Sequence, residues 1–168
     1  MEEKLLPAEE EGVGKNLPFR TRKGLNSPAQ VVLFTQFDLA RIEGRLTFGE
    51  LEKLKSQKTL EELFEKGKSV THNGFTLVYL PIPLKTFYPV QAGFSVPKRN
   101  FKHAVDRNRI KRLMRETYRH QKFDLYQKLV AAKKQLAIMW VYKGKTVPNH
   151  ETVNASMLKC LEKLSGHL

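Results

Sequence analysis

Seven consecutive residues, Leu136-Ala137-Ile138-Met139-Trp140-Val141-Tyr142, constrain this fold more than any other stretch of the chain. The run is almost wholly apolar and too short for a typical buried helix. It reads as a strand covered on both faces.

The flanking patterns supply the remaining elements. Thr59 followed by Glu62 has capping-box spacing and predicts a short helix, with Gly67 as a left-handed C-cap. Leu60, Leu63 and Phe64 fall on one face of that helix. Phe75–Leu80 has a strand's composition and ends at Pro81 and Pro83, which cannot continue a central ladder. Val90–Val96 predicts a further strand. Residues 104–122 predict a helix whose inner face carries Ile110, Met114 and Thr117 or Tyr118, widened by Leu113, with a separate helical stretch over Tyr126–Lys134. Asn149 predicts the cap of a last helix that turns Val153, Met157, Leu161 and Leu164 inward. The order is helix, two or three strands, helix, strand, helix: an α+β single-domain sandwich with helices over one small mixed sheet.

The domain is expected to begin near Leu46 and to span 46–168, long enough for one core. Residues 1–45 read as an extension whose first 27 positions mix charge, Gly and Pro with little periodicity, so disorder is the expectation. Within it, Val31–Phe34 predicts a short strand or turn without function, and Ile42-Glu43-Gly44-Arg45 matches a protease-linker sequence that does not bear on function. Cys160 is the single cysteine, which excludes an intramolecular disulfide. With no secretory signal pattern and no apolar run near the roughly 20 residues of a membrane span, the expected compartment is the cytoplasm.

Charge narrows the function. The chain carries 30 Lys/Arg against 17 Asp/Glu, a net +13. Residues 1–45 hold seven of each, so the remaining 23 basic and ten acidic residues carry the whole excess. Lys98–Lys122 has ten basic residues against Asp106 and Glu116, or +8 in 25 positions. A polyanionic partner relieves such self-repulsion, with nucleic acid ahead of an anionic membrane. A charge run is usually a solvated face. Here the basics are not interleaved with acids at four-residue spacing, arginine predominates from 107 to 119, and the Lys98-Arg99-Asn100-Phe101-Lys102 loop extends the patch. Arg107, Lys111 and Arg115 form one helical stripe, and Arg112, Arg115 and Arg119 its neighbour. Arginine's planar fork suits phosphates and base edges. Composition alone does not choose between DNA and RNA.

Protein-based catalysis finds little support. The five histidines are scattered, no H-x-x-x-H pair exists, no spaced carboxylates suggest two-metal chemistry, and no Gly-rich phosphate loop appears. Cys160, between Met157 and Leu161, reads as a small core residue. No catalytic or metal-ligating residue is assigned.

Phe94-Ser95-Val96-Pro97-Lys98-Arg99, followed by Ala104-Val105-Asp106-Arg107-Asn108-Arg109-Ile110-Lys111-Arg112-Leu113-Met114-Arg115-Glu116, closely resembles the signature of the bacterial ribonuclease P protein subunit. Leu54, Leu63-Phe64 and Gly67 resemble that family's first helix and its end, and the likeness covers roughly residues 46–165. The resemblance implies a protein that assists a catalytic RNA in cutting the 5′ leader from precursor tRNA. The RNA and its magnesium ions would perform the hydrolysis, and the protein alone would be inactive. It implies partners in that RNA and precursor tRNA, with neither membrane nor obligate protein partner. It also implies a left-handed βαβ crossover, against the usual right-handed rule. Lys98, Arg99, Arg107, Asn108, Arg109, Lys111, Arg112 and Arg115 would face the catalytic RNA. Lys53 and Phe64 match positions of a leader-binding cleft, where Phe64 would stack a base; the competing reading packs Phe64 into the core. The chain departs from the family pattern at Leu60 and Val78, where relatives often carry aromatics, and at Pro97, where a small polar residue is usual. The runner-up function is a structural, ribosomal-type RNA-binding protein with no processing role. A standalone nuclease is the third reading, and the sparse acids speak against it.

Overall fold

The computed structural model describes residues 47–167. The expectations for residues 1–45 lie outside that range. After a 3₁₀ turn at Glu50–Glu52 come α1 (Gln57–Lys66), β1 (Lys68–His72), β2 (Phe75–Pro81), β3 (Val90–Ser95), α2 (Ala104–Ala131), β4 (Leu136–Tyr142) and α3 (His150–Ser165).

The four strands form one mixed sheet in the order β1-β2-β4-β3. β1 pairs antiparallel with β2 and β2 with β4, while β3 runs parallel to β4. The parallel pair is joined through α2, giving the β3–α2–β4 crossover unit. β4 is central, and its burial on both faces follows from alternation. Leu136, Ile138, Trp140 and Tyr142 enter the main core under α2 and α3. Ala137 and Met139 enter a smaller core with Leu54 and Leu63, against which Leu60, Val78 and Val141 pack. α1 therefore covers the face opposite to α2 and α3, over β2 and β4. Trp140 is wholly buried, and its truncation to alanine would cost about 3–5 kcal/mol.

Several elements differ from the sequence reading. α1 starts earlier: Ser56, not Thr59, is its cap, with Oγ accepting from the Thr59 amide at 3.3 Å. Gly67 is not left-handed but extended, at φ −71° and ψ 146°. Its need for glycine is steric, since a Cβ there would lie 2.1 Å from the Leu63 carbonyl oxygen. β1 is the third of the expected two or three strands before the long helix, joined to β2 by a tight turn in which Asn73 and Gly74 have φ of 44° and 78°. Positive φ at both central positions is the type I′ pattern, whose twist suits a two-residue hairpin. α2 is one continuous helix to Ala131 rather than two, because no Gly or Pro interrupts it. Asn149 caps α3 as expected, Oδ1 accepting from Thr152 at 2.8 Å.

Candidate nucleic-acid interface

α2 positions the basic surface by its inner stripe. Ile110, Met114, Thr117 and Tyr118 are buried, which leaves Asn108, Arg109, Arg112 and Arg115 exposed on the other side. The preceding loop is anchored at three points. Phe101 is buried and its ring stacks on Tyr142, centroids 6.0 Å apart. Asn100 Nδ2 donates to the carbonyl oxygens of Lys143 at 2.7 Å and Gly144 at 3.1 Å. Arg107 Nη1 donates to the carbonyl oxygens of Phe101 at 2.8 Å and Lys102 at 2.7 Å. These anchors leave Lys98 and Arg99 exposed beside the N-terminal half of α2.

The residues expected to face RNA thus share the N-terminal half of α2 and the loop before it, with distinct duties. Lys98, Arg99, Arg109 and Arg112 make no ion pair among the described residues. Arg115 Nε reaches back to the Lys111 carbonyl oxygen at 3.2 Å. Arg107 is half-buried and spends its guanidinium on the loop backbone. The outer stripe is not wholly free of acids: Glu116 pairs with Arg119 and, at 3.3 Å, with His120. Desolvation of Glu116, which raises its pKa, is outweighed by the His120 hydrogen bond and the Arg119 charge, so its carboxyl lies below its ordinary value. Lys122 departs most from expectation. It closes the basic segment in sequence, yet it is 3% exposed and pairs with Glu52 in the interior.

The Asn100 contacts also bring in a feature the sequence reading missed. Exposed Lys143 and Lys145 lie in the loop after β4 to which the basic loop is tied. They lie 45 and 47 positions beyond Lys98, and no local pattern marks them.

A second surface lies on the α1 side. A groove of about 340 Å³ is lined by Lys53, Lys55, Ser56, Thr59, Lys85 and Gln91, with Glu50, Leu51, Pro83 and Leu84 completing it. Lys53 is held there by a parallel bridge to Ala92. Glu50 stands between the two lysines, with Oε2 accepting from Lys53 Nζ at 2.9 Å and Oε1 from Lys55. Phe64 is not part of this lining. It lies five residues beyond Thr59 on α1, roughly 7.5 Å along the helix axis at 1.5 Å per residue. It is 59% exposed, which removes the core-packing reading. Among the described residues, no three His, Cys, Asp or Glu side chains stand together as a metal donor set. No helix among these residues is long and apolar enough to cross a membrane.

Comparison with known proteins gives concordant matches. The family model described as Ribonuclease P matches residues 48–165. The ribonuclease P protein component of Chlorobium phaeobacteroides is 31% identical over 67% of this chain and 84% of its own length. That of Nitrosococcus oceani is 32% identical, covering 69% and 86%. Among solved structures, the RNase P protein of Staphylococcus aureus aligns with a TM-score of 0.55 at 21% identity, over 67% of this chain and 94% of that one. The protein from Thermotoga maritima gives 0.52 at 21%, over 67% and 96%. At that identity the structural likeness speaks for the fold.

Proposed function

This chain belongs to the ribonuclease P protein family, and from that premise we propose a division of labour between its two basic surfaces. The protein is the RNA-binding, non-catalytic subunit of a tRNA-processing endoribonuclease whose catalytic part is RNA. The face of α2 with its loop binds that RNA through Lys98, Arg99, Asn108, Arg109, Lys111, Arg112 and Arg115, while Arg107 holds the loop that presents Lys98 and Arg99. The α1 side, through Lys53 and Phe64, holds the single-stranded 5′ leader of precursor tRNA. Magnesium stays with the RNA subunit and substrate, and the complex works in the cytoplasm.

The observation that carries the reading is the anchored basic loop. Asn100, Phe101 and Arg107 fix it before any partner arrives, so exposed Lys98 and Arg99 meet phosphates without the cost of ordering the loop backbone. A helix face of this kind is not suited to the deep, narrow major groove of duplex RNA, which favours folded junctions and loops as its target. On the other surface, an exposed aromatic near a lysine-lined groove is the combination that binds single strands: stacking is tolerant of sequence and lysines follow the backbone.

The test is reconstitution. Protein is added to a bacterial ribonuclease P RNA and precursor tRNA at low magnesium, and leader release is followed. Stimulated cleavage with an inactive protein-only control is expected. Binding to the RNA without any stimulation would favour the purely structural RNA-binding role.

A further inference from the structure

Lys122 ends the basic segment in sequence but serves the interior. Its side chain is 4% exposed and that of Glu52 2%. Lys122 Nζ donates to Glu52 Oε1 and to the Thr47 carbonyl oxygen, the latter at 2.5 Å. Tyr126 Oη donates to the same Glu52 oxygen at 2.6 Å. The other carboxylate oxygen accepts the Gly49 amide at 2.7 Å. Both oxygens of Glu52 are thus engaged, one from α2 and one from its own segment.

That segment follows an unusual course. Phe48 meets Phe94 and Tyr118 edge-on at 5.6 and 5.8 Å, on the α2 side of the sheet. Six residues later, Leu54 is in the small core on the α1 side. Between them the chain passes round the outer edge of β3. Leu54 N donates to the Ala92 carbonyl oxygen at 3.0 Å, and Gln91 Nε2 to that of Leu51 at 3.2 Å. The crossing covers an edge strand. It also delivers Lys53, Lys55 and the Ser56 cap to the groove. Glu52 is its pivot.

Two buried ions are a costly way to close a core. Desolvation takes several kcal/mol per ion, and well-packed apolar residues often serve stability as well or better. What an ion pair with both carboxylate oxygens engaged adds is a single geometry. We infer that the buried Lys122–Glu52 pair is a positioning device for substrate: it fixes the lysine-lined groove relative to the RNA-binding face of α2. The same helix carries Arg109 and Arg112 outward and Lys122 inward, so docking of α2 on the catalytic RNA sets where the leader groove stands. Lys122 and Glu52 act through Lys53 and Lys55 without touching RNA. This inference rests on the proposed role of the groove.

The test uses the reconstituted holoenzyme, below the melting temperature of every variant. Lys122→Met combined with Glu52→Gln removes both charges and so leaves neither orphaned. The milder Tyr126→Phe removes one hydrogen bond to Glu52 and serves if the double variant folds poorly. For each, three quantities are measured: affinity for the catalytic RNA, kcat, and the ratio of KM between precursors with a one-nucleotide and a long leader. In the double variant the leader-dependent KM ratio is expected to fall on the order of tenfold. RNA-subunit affinity and kcat stay near native values, and Tyr126→Phe shifts the ratio in the same direction by less. An unchanged ratio overturns the inference, and so does a parallel loss of RNA-subunit affinity, which would make the pair a support of the whole fold. Lys53→Ala with Lys55→Ala separates the two levels. If that variant lowers the ratio while the pair variants do not, the groove reading stands and the positioning role falls. If it leaves the ratio untouched, the groove reading itself fails.

Discussion

Arg107 Nη1 donates to the carbonyl oxygen of Phe101 at 2.8 Å, and the same nitrogen reaches that of Lys102 at 2.7 Å. An arginine in the middle of the basic motif is therefore committed to shaping the loop before it. Arg109 and Arg112, two and five residues on, are exposed and make no ion pair among the described residues. The motif contains both a scaffold and a contact surface.

Arg107→Ala should lower stability by about 1.5–3 kcal/mol, the range for hydrogen bonds that involve a charged group, and weaken RNA binding through a loosened loop. Reversing charge at Arg109 and Arg112 should leave the melt nearly unchanged and reduce the salt dependence of RNA binding. Each lost phosphate contact removes roughly 0.7–0.9 from the log-log slope. Thermal melts and a salt titration distinguish the two cases, and an unchanged slope for the double reversal would place those arginines off the interface.

Phe64 gives the leader surface its most direct mutational test. Being 59% exposed, it should tolerate alanine with a stability change within about 0.5 kcal/mol. If it stacks a base, Phe64→Ala should weaken precursor binding by on the order of 1–3 kcal/mol and leave mature tRNA binding alone. Equal losses for precursor and mature tRNA would remove it from the leader path.

Glu50 occupies, between Lys53 and Lys55, a place suited to a phosphate. Exposed ion pairs of this kind contribute about 0–1 kcal/mol, so Glu50→Gln should not unfold the protein. It should tighten precursor binding a few-fold at low ionic strength, by roughly the same 0–1 kcal/mol. The gain should vanish near 1 M salt, where the screening length is only about 3 Å. A gain that persisted at high salt would not be electrostatic.

Burial pushes the Cys160 thiol up from 9.0 to about 11, against smaller lowering effects from the Lys163 charge and a His72 backbone hydrogen bond. The folded state therefore holds its proton where the unfolded chain releases it. The stability this contributes is fully present below the unfolded value and declines as pH rises from 9 towards 11. Urea melts across that window should show a steeper loss for the native chain than for Cys160→Ala. Parallel curves would contradict the assignment.

Legibility in the sequence followed burial and range. β4 and the Asn149 cap could be read because an unbroken apolar run and an Asx cap are local signals. β1 has no local signal to place it, because Lys-Ser-Val-Thr-His on a sheet edge buries only Val70; the Asn73-Gly74 turn beside it is the available clue. The basic helix declared itself by periodicity, and the resemblance around Arg107–Arg112 supplied the partner. Nothing local separates Lys122 from the arginines before it. Its partner Glu52 lies 70 residues earlier, and only the folded chain brings the two together. The groove is hidden for the same reason, since Lys53, Lys85 and Gln91 meet through sheet topology.

Two exposed apolar positions allow the central claim to be tested directly. Val105 is 76% exposed in the first turn of α2, and Phe64 59% exposed on α1. A photoreactive phenylalanine analogue placed at each, in holoenzyme bound to precursor tRNA, reports which RNA lies against which surface. Cross-links are expected from position 105 to the catalytic RNA and from position 64 to leader nucleotides. Cross-links from position 64 to the catalytic RNA alone, or from position 105 to the leader, would contradict that assignment.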